Sequence, residues 1–408
     1  MSKSNKEILK IKYQYYFIEA IYNLGIVVFA ATLYLYLENI GHNLNEISLF
    51  ISLFWITSLL TEIPSGVLSD SFGRKNTMII SCVVRAIGLL IIAFSHGELT
   101  YLIAGATLTA LGESLKSGTW DSWFVDNIKR INSEFPIDKV FSTNGVISQT
   151  ISIFGGFIGA QFFANINLSY PISLGAILLL ITAIVVIFFV KEGDSKYKKQ
   201  KFKISNSFKE FFTTLNLGYK YFKSNHYFSL VCLTLVPLTI ILAGPGNQWQ
   251  LFFQPDQDNI RTGYIWIFIG VSTLFGTWVI GRIPNLNKYR ISILLVNIII
   301  NTLCISILVF LENFYVAVFL FLIHVFITAG DEILRITFLH NNIPSENRST
   351  LMSFFYTLEA LFTIIGLTLV GMISENFSMG LAWLICAITG FIISFPLLLY
   401  VKNKKDVA

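Results

Sequence analysis

Ten ionisable side chains stand inside runs of apolar residues: Glu19, Glu62, Arg85, Glu113, Lys116, Asp121, Asp331, Glu332, Arg335 and Glu359. If those runs cross a bilayer, each charge near its centre costs about 2.5–3.5 kcal/mol on insertion scales. Together such costs rival the whole stability of a protein. The charges must therefore pair, exchange a proton, or face water. Two sets are spaced to pair. Glu113 with Lys116, and Glu332 with Arg335, are three residues apart and share a helical face; Asp331 stands beside the second pair. Arg85 reads as a counter-ion. Glu62 and Glu359 have no base one turn away on their own run, so they are the leading candidates for proton carriers, followed by Glu19 and Asp121. Burial pushes a carboxyl towards its protonated form, as a reversible proton site requires. At about 1.5 Å per residue, Glu62, Arg85 and Lys116 lie roughly 12–15 Å into their runs. With Asp121 they are able to form one cluster.

Other chemistry is sparse. The sequence Gly244-Pro245-Gly246-Asn247-Gln248-Trp249-Gln250 interrupts an apolar run near its end. Proline kinks a helix, and broken helices often line transport sites. Asn247, Gln248 and Trp249 are therefore candidate substrate contacts, against the alternative of an interfacial tryptophan belt. His324 joins them as a candidate, with packed neutral histidine as the plainer reading. No phosphate-binding loop, metal-ligand spacing or nucleophile triad is present, so no catalytic residue, metal or cofactor is expected. Cys82, Cys232, Cys304 and Cys386 fall one per apolar run without a C-x-x-C spacing, and read as small packing residues.

The elements that must position these groups follow from composition. Of 408 residues, 54% are hydrophobic and 13% charged, too apolar for an ordinary soluble domain. A spanning helix needs about 20 apolar residues. The sequence predicts twelve: 12–37, 46–69, 76–95, 100–126, 140–163, 170–190, 227–252, 262–282, 290–311, 314–340, 349–372 and 379–401. Lysines and arginines crowd the loops of one side, while Arg261 alone marks the other. By the positive-inside rule both termini are cytoplasmic. The net charge of +5 thus reflects membrane topology rather than nucleic-acid binding. The fold class is an all-α integral membrane protein of two pseudo-symmetric halves, 1–190 and 227–408. A basic linker, 191–226, joins them, and its stretch 205–223 has the spacing of a helix lying on the membrane. The halves repeat faintly: Gly112-Glu113-x-x-Lys116 in one corresponds to Gly330-Asp331-Glu332-x-x-Arg335 in the other, which pairs helix n with helix n+6.

Between the second and third runs stands Gly66-x-x-x-Asp70-x-x-Gly73-Arg74-Lys75. It resembles the loop 2–3 signature of the major facilitator superfamily. Gly66 suits close helix packing, Gly73 a tight turn, and Asp70 a helix N-terminus, while Arg74 and Lys75 hold the loop in the cytoplasm. The resemblance implies a link from Arg74 to Asp126 at the end of helix 4. The preceding Glu62-x-Pro64 resembles a variant found in clostridial-type tetracycline exporters. Two departures accompany it. Ser114 precedes Gly118 where drug antiporters have arginine, leaving Lys116 or Arg85 as the base. Gly155-Gly156-x-x-Gly159 in helix 5 lacks the antiporter Gly-Pro pair and reads as a packing motif.

The expectation is a monomeric secondary transporter of the plasma membrane, exchanging protons for an amphiphilic, drug-like small molecule, with the lipid bilayer as its other partner. The rivals are a metabolite or siderophore exporter or a nutrient importer of the same fold, and a non-transporting receptor or scaffold. A scaffold has no reason to keep acids away from helix ends.

Overall fold

In a computed structural model of the chain, which describes residues 3–191, 204–255 and 259–405, the apolar runs fold as helices. No strand occurs among the described residues, as expected where backbone groups must satisfy one another without water. Seventeen α-helices are described. In chain order they are α1 (Lys3–Val27), α2 (Leu33–Asn39), α3 (Leu44–Phe72), α4 (Arg74–Ala93), α5 (Leu99–Lys116) and α6 (Thr119–Ile131). Next come α7 (Ile137–Ile158), closed by a π-helical turn Gly159–Ala164, α8 (Tyr170–Phe189) and α9 (Ile204–Ser224). Then α10 (His226–Leu235), α11 (Ile240–Ala243) and α12 (Pro245–Phe253) make one interrupted run. Last are α13 (Thr262–Arg282), α14 (Leu286–Leu308), α15 (Phe314–Asn341), α16 (Arg348–Asn376) and α17 (Met379–Lys405).

Ten segments among the described residues are long and apolar enough to cross a membrane. Of the twelve runs expected from sequence, the two outside that set hold α1 and α5. Their charges explain this: Lys10, Lys12 and Glu19 in α1, Glu113 and Lys116 in α5.

Besides the run 227–252, which is split into α10, α11 and α12, two predicted helices are divided. The run 12–37 breaks over residues 28–32 into α1 and α2. The run 100–126 breaks at Ser117 and Gly118, where Gly118 has φ +65°, a conformation that costs other residues about 1–2 kcal/mol. Pro64, by contrast, leaves α3 continuous.

The chain groups into two units. One comprises Met1–Gly41, Leu53–Lys209 and Gln257–Trp266; the other His42–Ser52, Glu210–Asp256 and Ile267–Ala408. The helices α3 and α13 thus contribute to both. In the first unit, α4 packs against α5, α6 and α8, and α1 against α6, α7 and α8. Gly112 of α5 lies so close to α4 that a Cβ there would meet Arg85, which brings α5 and the arginine together. Gly155 meets α1 at Leu24 and Val27, and Gly159 meets Val28 just beyond its end, so this glycine motif packs helices as its spacing predicts. In the second unit, α17 packs against α14, α16 and α10. The linker helix α9 lays Gly218 against Phe354 of α16 and Phe222 against Phe228 of α10. The linker lysines Lys196, Lys198, Lys199, Lys201 and Lys203 lie outside the described residues.

Candidate functional site

The break between α5 and α6 gathers most of the charges of the first unit. Lys116 is the last residue of α5, where the helix dipole favours a cation, and Asp121 is in the first turn of α6, where it favours an anion. From α1, Glu19 is buried at 2% exposure, with its Oε1 2.9 Å from Lys116 Nζ. Arg85 of α4 pairs with Glu113 of α5 and donates to Tyr22 Oη at 2.7 Å. The Tyr22 ring is fully enclosed, 5.6 Å from the Arg85 guanidinium and 5.3 Å from the Lys116 ammonium. Its electron-rich face joins the two ion pairs. Asn23, one residue on, donates to Ser148 of α7 at 2.8 Å.

These contacts correct the pairings expected from spacing. Glu113 and Lys116 do not neutralise one another; each reaches a different helix. A short carboxylate on one turn and a long ammonium on the next are free to diverge when other helices offer partners. Glu62 pairs with neither Arg85 nor Lys116, since both are taken. Instead, exposed Glu62 accepts a hydrogen bond from Ser117 Oγ at 2.8 Å, inside the helix break. Hydroxyls flank that contact. Thr61 Oγ1 donates to Ser114 Oγ at 2.8 Å, and Thr119 Oγ1 to Ser69 Oγ at 3.1 Å. So α3 is fastened to both sides of the break by polar side chains. Asp121 is exposed and accepts from Tyr15 Oη at 2.6 Å. Tyr15 stacks on Phe124 with centroids 4.6 Å apart, which anchors α6 to α1, and Trp120 stacks on Trp123 within α6.

Towards the basic end of this unit, Arg74 lies 2.9 Å from Asp126 Oδ2 and 4.0 Å from Asp70 Oδ1. Asp70 is exposed, in the last turn of α3. Lys75 Nζ donates to the Ile187 carbonyl at 2.9 Å, capping the end of α8. Gly73 takes φ +89° between α3 and α4. Gly66 does not serve close packing: no atom beyond its own helix lies within 4 Å of a Cβ built there.

The second unit holds its polar groups in a ladder. Asp331 of α15, 8% exposed, accepts from Asn297 Nδ2 of α14 at 2.6 Å. His324 Nδ1 lies 3.1 Å from Asn301 Oδ1, again between α15 and α14. Arg335 pairs with Glu359 of α16. The expected partner Glu332 is exposed and turned away from the ladder, because it follows Asp331 by one residue and so points about 100° round the helix. Glu359, unpaired on its own helix, thus has a cation from another.

The sequence-predicted substrate contacts on α12 are packed. Gln248 Oε1 accepts from Ser374 Oγ at 3.0 Å and from Trp383 Nε1 at 3.1 Å, and Trp249 stacks near Phe321. Asn247 Nδ2 returns to the Ala243 carbonyl at 3.0 Å. Tyr15, Tyr22, Ser117, Asn297 and Asn301 take part in these contacts although spacing does not single them out. For the tyrosines the available signal was a polar-tipped ring at a buried helical position; for Ser117 it was the Ser-Gly pair, a common helix stop. The four cysteines are buried and unpaired, and no cluster able to hold a metal occurs among the described residues.

The pattern of the Major Facilitator Superfamily matches residues 15–338, most of the chain. The chain belongs to the Major Facilitator Superfamily. As such it is a multi-pass membrane protein. It is 25% identical over 177 residues to YxaM, an uncharacterized MFS-type transporter of Bacillus subtilis, covering 43% of each chain. The chain spans about half the length of the curated relatives it matches. The nucleoside transporter NupG shares the fold with a TM-score of 0.74 at 15% identity, covering 95% of this chain and 98% of its own. The xylose transporter XylE of E. coli does so with a TM-score of 0.65 at 14% identity, covering 95% and 96%.

Proposed function

We propose that this facilitator is a proton-coupled exporter of an amphiphilic, drug-like small molecule, working as a monomer by alternating access in the plasma membrane. The reading takes the chain as twelve spanning helices in two halves, 1–190 and 227–408, with the linker 191–226 and both termini in the cytoplasm. The observation that carries it is the contact of Glu62 with Ser117 inside the broken helix 4. A carboxylate whose described partner is a neutral hydroxyl, at a joint between two helix pieces, has a protonation state coupled to how those pieces lie. The neighbouring cations are already matched by Glu19 and Glu113, which leaves Glu62 free to exchange a proton. In this reading Arg74, Asp126 and Asp70 form the gate.

A polar metabolite is the second reading. The buried ladder of Asn297, Asn301, His324 and Asp331 favours it, because amide and imidazole groups suit a hydrogen-bonding cargo such as a nucleoside or a sugar, the cargoes named for NupG and XylE. Proteoliposomes with an imposed pH gradient decide between the two. Gradient-driven movement of lipophilic drugs is the expected result; movement of nucleosides or sugars alone, or transport indifferent to the gradient, contradicts it.

A further inference from the structure

We infer that the groove between α1, α7 and α8 is a binding site for one anionic phospholipid. The groove is a cavity of about 740 Å³ lined by Tyr13, Phe17, Ile147, Val185 and Phe189, with Lys10 at its rim. Gln14 and Tyr16 also line it among mostly apolar residues, and Tyr13 and Phe17 are 63% and 57% exposed. Where α1 spans a bilayer, as the twelve-helix reading has it, such a groove faces hydrocarbon, and an acyl chain is what fills it.

The headgroup preference comes from the helix period. Lys6, Lys10, Tyr13 and Phe17 follow one another at intervals of four, three and four residues, so they form a single stripe along α1. Read along that stripe, two exposed ammonium groups lead to a tyrosine and then to a phenylalanine. That is the order of a membrane boundary: charge in the headgroup layer, an amphipathic ring at the interface, a hydrocarbon ring inside. Lys12, one position round the helix, holds its ammonium 5.6 Å from the Tyr16 ring, which adds positive charge on the same turn. One hydrogen bond joins the helices that wall the groove. Gln14 Nε2 donates to the Phe189 carbonyl at 2.5 Å, tying α1 to the last turn of α8. Alanine at position 20 leaves room for the chain to run on past Phe17.

Native mass spectrometry of the full-length, detergent-purified protein tests this with phosphatidylglycerol and phosphatidylcholine of identical acyl chains. The wild type is expected to retain one phosphatidylglycerol in preference to phosphatidylcholine. In a Lys6→Gln/Lys10→Gln variant that preference falls by roughly fivefold for each lysine removed. In an Ala20→Phe variant, which plugs the groove, retention of both lipids falls. A phosphatidylglycerol with a diazirine in its acyl chain supplies a second readout that needs no variant: labelling at Phe17 and Ile147 is expected. Equal retention of the two lipids by the wild type, an unchanged preference in the double lysine variant, or labels lying elsewhere on the protein would overturn the proposal. Labels on α8 but none on α1 would instead overturn the placement of α1 in the bilayer.

Discussion

The two units hold their intramembrane charges in different ways. In the first, the helix bearing Glu113 and Lys116 stops, turns through Gly118 and starts again; in the second, α15 runs unbroken from Phe314 to Asn341, past Asp331 and Arg335. Arg85 and Asn297 stand at matching places, each eleven residues beyond the first residue of its helix. One brings a guanidinium to its acid, the other an amide. The first unit therefore has two ion pairs bridged by Tyr22, with exposed Glu62 at the joint. Among the described residues of its α14–α16 ladder, the second has one ion pair and two contacts made by asparagine. A pair of helix pieces meeting at a left-handed glycine has two ends able to move apart, whereas a continuous helix carries its side chains as a body. Similar motifs in the two units thus sit in different frames: the first in a helix divided at Gly118, the second in a continuous one.

Removing one cation separates the two designs most strongly. Arg85→Leu leaves Glu113 and Tyr22 without their buried partner and is expected to cost about 3–5 kcal/mol, read as the unfolding midpoint in detergent. Adding Glu113→Leu to it recovers most of that loss, because no orphan charge remains. Asn297→Leu removes only a neutral donor to Asp331 and costs about 1–3 kcal/mol. Equal losses for Arg85→Leu and Asn297→Leu would erase the distinction.

The joint itself gives the next effect. Gly118→Ala forces a side chain into the left-handed region and costs about 1 kcal/mol, with a larger fall in transport rate than in stability. In the second unit the matching position is Thr337, inside a continuous helix. Thr337→Gly costs less than about 0.5 kcal/mol from helix propensity and leaves the transport rate near wild type. Equal transport losses in both variants, measured in proteoliposomes, would show that α15 bends as well.

What the sequence made legible was the helical apolar runs, ten of them long and apolar enough to cross a membrane, and the signature loop, which depend on local patterns. The contact of Arg74 with Asp126 also followed, through the family resemblance. Partners across helices were not legible. Lys116 chooses Glu19, and Arg335 chooses Glu359, because of how α1 and α16 pack, which spacing within one helix does not encode. The break at Gly118 was written as Ser-Gly, but the apolar residues on either side masked it. The bonds of Gln248 to Ser374 and Trp383 likewise depend on residues more than a hundred positions away.

A small effect on stability is also expected at Arg74. Arg74→Ala removes a partly exposed pair worth less than about 1 kcal/mol, so the protein accumulates in the membrane normally. Its transport is expected to be crippled all the same, as is that of Asp70→Asn. Normal transport kinetics in both variants would remove the gating role.

The central claim, that the joint in the first unit couples proton movement to transport through Glu62, is tested most directly by Glu62→Gln in proteoliposomes. Glutamine keeps the shape and the hydrogen bond to Ser117 but does not release a proton. The account predicts that the variant loses transport driven by a pH gradient while it keeps cargo exchange at equal pH on both sides. A well-expressed variant that still pumps with the wild-type pH dependence contradicts the account, and moves the coupling site to Glu359 beside Arg335.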